Sequence, residues 1–207
     1  MNEITKIKTI SSESEIKYKE KGSVFLGFSF PVKSFEEVNE HLSRLKKKYF
    51  DATHYCYAAK LSGQKIKYHD DGEPTGTAGI RILNAITHFE LSNVLIVVVR
   101  YFGGTKLGVG PLGKAYYNTA LQTIETAQII VKKPYRKISF STDYQLINQI
   151  NKILASYDVV LDKTFFDDNV SYNFYCETHL VNKLLLEINE LLKGKNHAKL
   201  DDEVYLL

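Results

Sequence analysis

Residues Asn93–Tyr117 read NVLIVVVRYFGGTKLGVGPLGKAYY. An unbroken aliphatic run, Val94–Val99, stops at Arg100 and is followed by two aromatics, Tyr101 and Phe102. Such a run fits a strand covered on both faces. Five glycines follow, Gly103, Gly104, Gly108, Gly110 and Gly113, with Lys106 and Lys114 among them. Pro111 suits the first turn of a helix, where its missing N–H leaves nothing unpaired. Leu112, Tyr116, Ala120, Ile124 and Ala127 then recur at helical spacing and mark the buried face of that helix. A buried strand, a cationic glycine loop and a helix start together make a layout common to binding sites.

The flanking sequence on the N-terminal side alternates strands and helices. Ile4–Val32 alternates polar and apolar residues around Gly22, giving strands at Ser14–Lys19 and Ser23–Val32, the second closed by Pro31. Ser34 and Glu37 form a capping-box pair ahead of a helix with the stripe Phe35, Val38, Leu42, Leu45 and Tyr49. Lys46, Lys47 and Lys48 end its polar face, where the helix dipole tolerates cations. His54–Lys60 reads as a strand, Ser62–Gly63 as a turn and Lys65–Tyr68 as a return strand. The polar, turn-rich Asp70–Gly79 precedes a second helix with the stripe Ile82, Ala85, Ile86 and Phe89.

On the C-terminal side, Lys132, Lys133 and Pro134 mark a boundary, dividing the chain into domains at 1–133 and 134–207. The second part shows a βαββαβ pattern. A strand spans Arg136–Thr142, and Thr142 with Gln145 caps a helix carrying Ile147, Ile150 and Leu154. Val159–Phe166 and Val170–Cys176 form a hairpin turned at Asp167, Asp168 and Asn169. A helix with Val181, Leu184, Leu185, Ile188 and Leu192 ends at Gly194, and Lys199–Leu207 is the last strand. This order is that of a ferredoxin-like split-βαβ domain, so the fold class is α+β.

Charge is divided unevenly. Residues 1–133 carry 19 Lys+Arg against 13 Asp+Glu, whereas residues 134–207 carry 8 against 11. The first part is therefore the one suited to an anion such as phosphate or nucleic acid, unless its excess is only a solvated basic face. Asp143, Asp158 and Asp162 argue against the second sheet as a nucleic-acid platform and leave it as a surface for a protein partner. Cys56 and Cys176 each sit in strand-like sequence far apart, which fits buried free thiols in a reducing compartment. MNEITKIKTI lacks an apolar signal segment, and Val94–Val99 is far short of the roughly 20 residues of a membrane helix, so a cytoplasmic protein without a membrane partner is expected.

Two motif matches are incomplete. Gly108, Gly110 and Gly113 match GxGxxG, but they stand too far beyond the strand for a dinucleotide fingerprint, and no acidic residue follows at the ribose position. Gly108, Gly113 and Lys114 match GxxxxGK, but Ala115 replaces the Ser or Thr that would hold Mg²⁺. The chain is thus read without a cofactor or metal. Two readings of the loop stay open. Its amides, with Arg100, Lys106 and Lys114, cradle an anion, or its glycines only permit close packing beneath a neighbouring strand. The acidic turn is equally ambiguous. Asp70, Asp71 and Glu73, with His69 and His54, could serve a metal or acid–base chemistry. They could instead pair with Arg100 and cap the next helix. Cys56 shares a strand face with His54, a weak thiol-enzyme signal. His41, His88, His179 and His197 fall on helix faces or loops.

DATHYCYAAK at 51–60, DDGEPTGTAG at 70–79 and VVVRYFGGTKLGVGPLGKAY at 97–116 resemble the three signature blocks of the YigZ/IMPACT family. The resemblance implies an N-terminal domain with the βαβ-rich fold of a small-subunit ribosomal protein and of elongation factor G domain IV. It implies a C-terminal domain similar to that factor's domain V. Eukaryotic relatives modulate a translation kinase, and bacterial ones are described as nucleic-acid or ribosome binders. The signature residues here are His54, Asp70, Asp71, Glu73, Thr75, Gly76, Thr77, Arg100, Tyr101, Phe102, Gly103, Gly104, Lys106, Gly108 and Gly110. Ile80–Arg81 replaces the family's Arg-Pro, and Lys114 replaces an Arg, keeping charge but losing bidentate geometry.

The expectation is a cytoplasmic RNA- or ribosome-binding protein that regulates translation, with a translation-related protein partner as a further expectation. Its binding residues would be Arg100, Tyr101, Phe102, Gly103, Gly104, Lys106, Gly108, Gly110, Lys114, Thr75 and Thr77. The alternative is an enzyme for a phosphate-bearing substrate, with His54, Asp70, Asp71 and Glu73 as catalytic candidates.

Overall fold

The computed structural model of the chain describes residues 6–193 and 197–207. Ile4 of the opening stretch and Gly194, the expected helix stop, lie outside the described residues. The elements run β1 (Ile7–Ile10), β2 (Ser14–Glu20), β3 (Ser23–Pro31), α1 (Phe35–Lys48), β4 (His54–Lys60), β5 (Ile66–His69), α2 (Gly79–His88), β6 (Val94–Tyr101), α3 (Val109–Thr126) and β7 (Ile129–Lys132). They continue with β8 (Pro134–Thr142), α4 (Ile147–Ala155), β9 (Val160–Phe166), β10 (Val170–Glu177), α5 (Val181–Leu192) and β11 (Lys199–Leu206). The backbone divides into two compact units, one of Ile7–Val131 and one that includes Lys132–Leu207. No described helix is long and apolar enough to cross a membrane.

In the first unit five strands form an antiparallel sheet in the order β2-β3-β6-β4-β5, with β6 at its centre. Side chains alternate across a strand, and the aliphatic run of β6 divides accordingly. Leu95, Val97 and Val99 join Phe28, Phe30, Val38 and Leu45 in the core beneath α1. Val94, Ile96 and Val98 join Phe25, Ile82, Ile86, Tyr116, Ala120 and Ile124 beneath α2 and α3. Both faces of β6 are covered, as its composition requires, although its neighbours are antiparallel. Ser34 caps α1, accepting the Glu37 N–H at 3.3 Å, while Glu37 Oε2 accepts the N–H of Lys33 at 2.8 Å. That second bond falls one residue before the one a capping box makes.

β1 and β7 pair as a separate two-stranded sheet, which the alternation of the sequence does not announce. Each has only four residues, and their partners lie at opposite ends of the unit.

The second unit has the order β11-β8-β10-β9, antiparallel throughout, with α4 and α5 on one face. Counted within the unit this is 4-1-3-2, the α+β arrangement of a split βαβ. The cap expected from Thr142 does not form. The chain passes through a 3₁₀ turn at Tyr144–Leu146 before α4, and Thr142 Oγ1 is buried without a hydrogen-bond partner. Its side chain continues the inward series Ile138 and Phe140 on β8, so it points into the sheet and away from the helix start. Cys56 and Cys176 are both buried free thiols.

Candidate functional site

Alternation along β6 places Arg100 on the same face as Val94, Ile96 and Val98, at the end of the strand. The result is a buried cation, 5% exposed, where the sequence alone indicated one open to a ligand. Its neutralisation explains the acidic turn. Arg100 Nη1 donates to Glu73 Oε1 at 2.5 Å, and Arg100 Nη2 donates to Ser23 Oγ at 3.2 Å. The guanidinium lies between the rings of Phe25 and Phe102, at 5.3 and 5.5 Å from their centroids. Tyr116, from the buried stripe of α3, donates its hydroxyl to the same Glu73 Oε1 at 2.7 Å. Burial, with Cys56 and Glu73 beside it, pushes the Tyr116 hydroxyl well up, so it stays a neutral donor. Burial likewise pushes the Cys56 thiol far up. That thiol donates to the Asp70 carbonyl at 2.9 Å, which suits a structural donor and not a nucleophile.

The other members of the turn are engaged as well. Asp70 accepts the N–H groups of Gly76, Ala78 and Gly79 at 2.9, 3.0 and 2.7 Å. It supplies the start of α2 with the acceptor that Ala78, at the N-cap position, lacks. Burial raises its carboxyl, but the three backbone donors outweigh that and hold it below the usual range. Asp71 Oδ2 accepts the Tyr55 N–H at 2.7 Å, and the Asp71 carbonyl accepts from His54 Nδ1 at 2.8 Å. A carbonyl only accepts, so Nδ1 carries the proton and His54 Nε2 is left 3.8 Å from Glu73 Oε2. Thr77 is buried, its hydroxyl on the Pro74 carbonyl at 2.6 Å, while Thr75 is exposed. His54, Asp70, Asp71 and Glu73 are thus brought together with Arg100, but as the pins of a clamp.

A consequence follows for Asp70. Asp70→Ala is expected to cost about 1–2 kcal/mol, as loss of a helix cap does, read from thermal denaturation. Because the folded carboxyl titrates below its unfolded value, the gap between the two proteins is full above about pH 4. It narrows as pH is lowered through the folded value.

The loop after β6 is the open part of the region. Ser23 Oγ also accepts the Gly103 N–H at 3.3 Å, tying the loop to the buried guanidinium. The Phe102 N–H is held by Thr53 Oγ1 at 3.0 Å, and Tyr101 donates to Asp51 Oδ1 at 2.9 Å. Gly103 lies against the backbone of Gly22, so at this position close packing is what the glycine provides. Beyond it Gly104, Lys106, Gly108, Val109, Gly110 and Lys114 are exposed, as is Phe102 at 45%. Gly108 is the N-cap of α3 and offers no side-chain acceptor to the first turn. One loop on a buried anchor carries an exposed cation, Lys106, and an exposed ring, Phe102, and leads into the uncapped amides of α3, where Lys114 is a second exposed cation. Such an arrangement can bind phosphate and stack on a base.

Tyr116, Ser23, Cys56 and Thr53 complete the region; Thr53, Cys56 and Tyr116 lie within the quoted blocks, but of the four the sequence singles out only Cys56 for chemistry, as a weak thiol signal. A Tyr within an apolar helical stripe is the one usable signal, since a buried hydroxyl needs a partner.

A family model described as the Impact N-terminal domain matches residues 21–124. The chain is 32% identical over 177 residues to the IMPACT family member YvyE of Bacillus subtilis (strain 168), covering 84% of this chain and 82% of that one. It is 31% identical over 145 residues to the IMPACT family member YigZ of Escherichia coli (strain K12), covering 67% and 70%. A Saccharomyces cerevisiae (strain ATCC 204508 / S288c) Protein IMPACT homolog is 36% identical over 94 residues, 43% of this chain and 36% of that one. A crystal structure of an hypothetical protein superimposes with a TM-score of 0.68 at 23% identity, over 96% of this chain and 99% of the other, and shares the fold.

Proposed function

We propose a function from one premise: this chain belongs to the IMPACT family. It is an RNA-binding protein that acts on RNA or on the ribosome in the control of translation, and it works in the cytoplasm, where ribosomes are. The observation that carries this reading is the exposed loop Phe102–Gly110. It presents Lys106, with Lys114 one turn into α3, beside an exposed aromatic and the uncapped amides of a long helix. The basic balance of residues 1–133 draws polyanions to the same unit. The role in translation rests on the resemblance of the signature blocks. The rival reading, an enzyme for an anionic substrate, needs a carboxylate available to the substrate. Asp70 instead has both oxygens on backbone amides, Asp71 has Oδ2 on the Tyr55 amide, and Glu73 has Oε1 on Arg100 and Tyr116.

The test is a salt titration of RNA binding by fluorescence anisotropy. Affinity is expected to fall steeply with salt, and Lys106→Ala is expected to reduce the slope of log K against log salt by about 0.7–0.9. No association of the wild-type protein with RNA or ribosomes at low salt would overturn the reading.

A further inference from the structure

The glycine loop has a cationic neighbour at the edge of the sheet. β2 is an edge strand, and its alternation turns Lys17 and Lys19 to solvent while Ile16 and Tyr18 turn inward. Lys21 follows in the β2–β3 turn, and that turn packs backbone-to-backbone on the glycine loop through Gly22 and Gly103. Register gives the relation to the aromatics. Lys19 pairs with Val24, and Val24 pairs with Tyr101, so the three lie in one row across three strands on one face. Val24 and Tyr101 are only half-buried, because the core under α1 is built from Phe28, Phe30 and residues further along the strands. The ring of Tyr101 is fixed by its bond to Asp51. At the other end the row of cations stops. Glu15 there accepts from Tyr49 at 3.4 Å, and Glu13 is paired with Arg44.

Resting on the reading of the loop as an RNA site, we infer that Lys17, Lys19 and Lys21 extend it into a track for single-stranded RNA. The phosphates follow the β2 edge, and a base reaches Tyr101, which shares the face of Lys17 and Lys19. Alternate residues of a strand stand about 6.6–6.8 Å apart, so Lys17 and Lys19 stand in line along the edge, and Lys21, in the turn beyond the strand, carries the charge on to the glycine loop. An extended backbone matches such a line, and an aromatic face at its end takes an unstacked base. A duplex keeps its bases stacked and offers nothing to that ring.

The experiment measures binding of a labelled oligouridylate to the full chain, with its annealed duplex as competitor. Three proteins are compared: wild type, Lys17→Ala/Lys19→Ala and Lys106→Ala. Both lysines of the double variant are exposed and outside the loop, and circular dichroism checks that the fold is intact. The double variant is expected to bind about tenfold more weakly, with a salt slope lower by about 1.4, the value for two single-strand phosphate contacts. The duplex is expected to compete poorly. If Lys106→Ala weakens binding while the double variant matches wild type in affinity and slope, the track falls and the loop reading stands. Equal competition by the duplex overturns the single-strand assignment. If wild type binds neither RNA, the loop reading falls and takes this inference with it.

Discussion

Arg100→Met is expected to lower folding stability by about 3–5 kcal/mol, the cost of breaking one side of a buried ion pair. The size follows from what is left behind. The Glu73 side chain is 4% exposed, and Arg100 supplies its counter-charge. Tyr116 still donates to Oε1, but one neutral hydroxyl does not offset a desolvated carboxylate. Methionine keeps the length of the stem between Phe25 and Phe102, so little of the loss is packing. The double variant Arg100→Met/Glu73→Gln is expected to recover most of the deficit, because removing both charges leaves no buried ion. Urea denaturation of the three proteins checks both statements. A loss under 1 kcal/mol in the single variant would mean that the pair is screened by solvent and is not the clamp described here.

Gly103→Ala is the second large effect. A Cβ at this position would lie 1.9 Å from the carbonyl carbon of Gly22 and 2.3 Å from the nitrogen of Ser23. Both atoms are backbone, so no side chain can swing aside, and the β2–β3 turn must separate from the loop. Overpacking costs about 1–3 kcal/mol where neighbours can adjust, and the upper end is expected here. RNA affinity should fall with it, since the turn and the loop are held together by this contact. Gly110→Ala is the control. That residue has open space around its Cβ position, and its substitution is expected to stay within about 0.5 kcal/mol of wild type. Thermal denaturation and anisotropy on the two variants separate packing from a generic effect of losing a glycine.

Most of the architecture can be read locally because it rests on local periodicity. The run Val94–Val99 gives a strand covered on both faces. The stripes of α1, α2, α3 and α5 and the hairpin around Asp167–Asn169 fall where periodicity and turn chemistry put them. What could not be read depends on partners distant in sequence. β1 and β7 are short and find each other across the whole unit. Gly103 needs to be glycine because of Gly22, to which no motif points. Arg100 shows the limit most clearly. A charge ending an apolar run resembles a surface residue, yet strand parity keeps it on the buried face, and only Glu73 from another loop makes that tolerable. The same pairing settles the acidic turn. Its carboxylates are legible as a group, but their partners, the amides of Gly76, Ala78, Gly79 and Tyr55 and one guanidinium, become visible only in the fold.

On the proposed function the region separates into a buried clamp that sets the loop and an exposed loop that meets the RNA. Amide NMR of the full chain titrated with a single-stranded RNA oligomer tests that division most directly. The expected result is that the largest shifts fall on Phe102, Gly104, Lys106, Gly108, Val109 and Gly110 and weaken as salt is added. Shifts confined to the open face of β8, β9 and β10, with the loop amides unmoved, would contradict it.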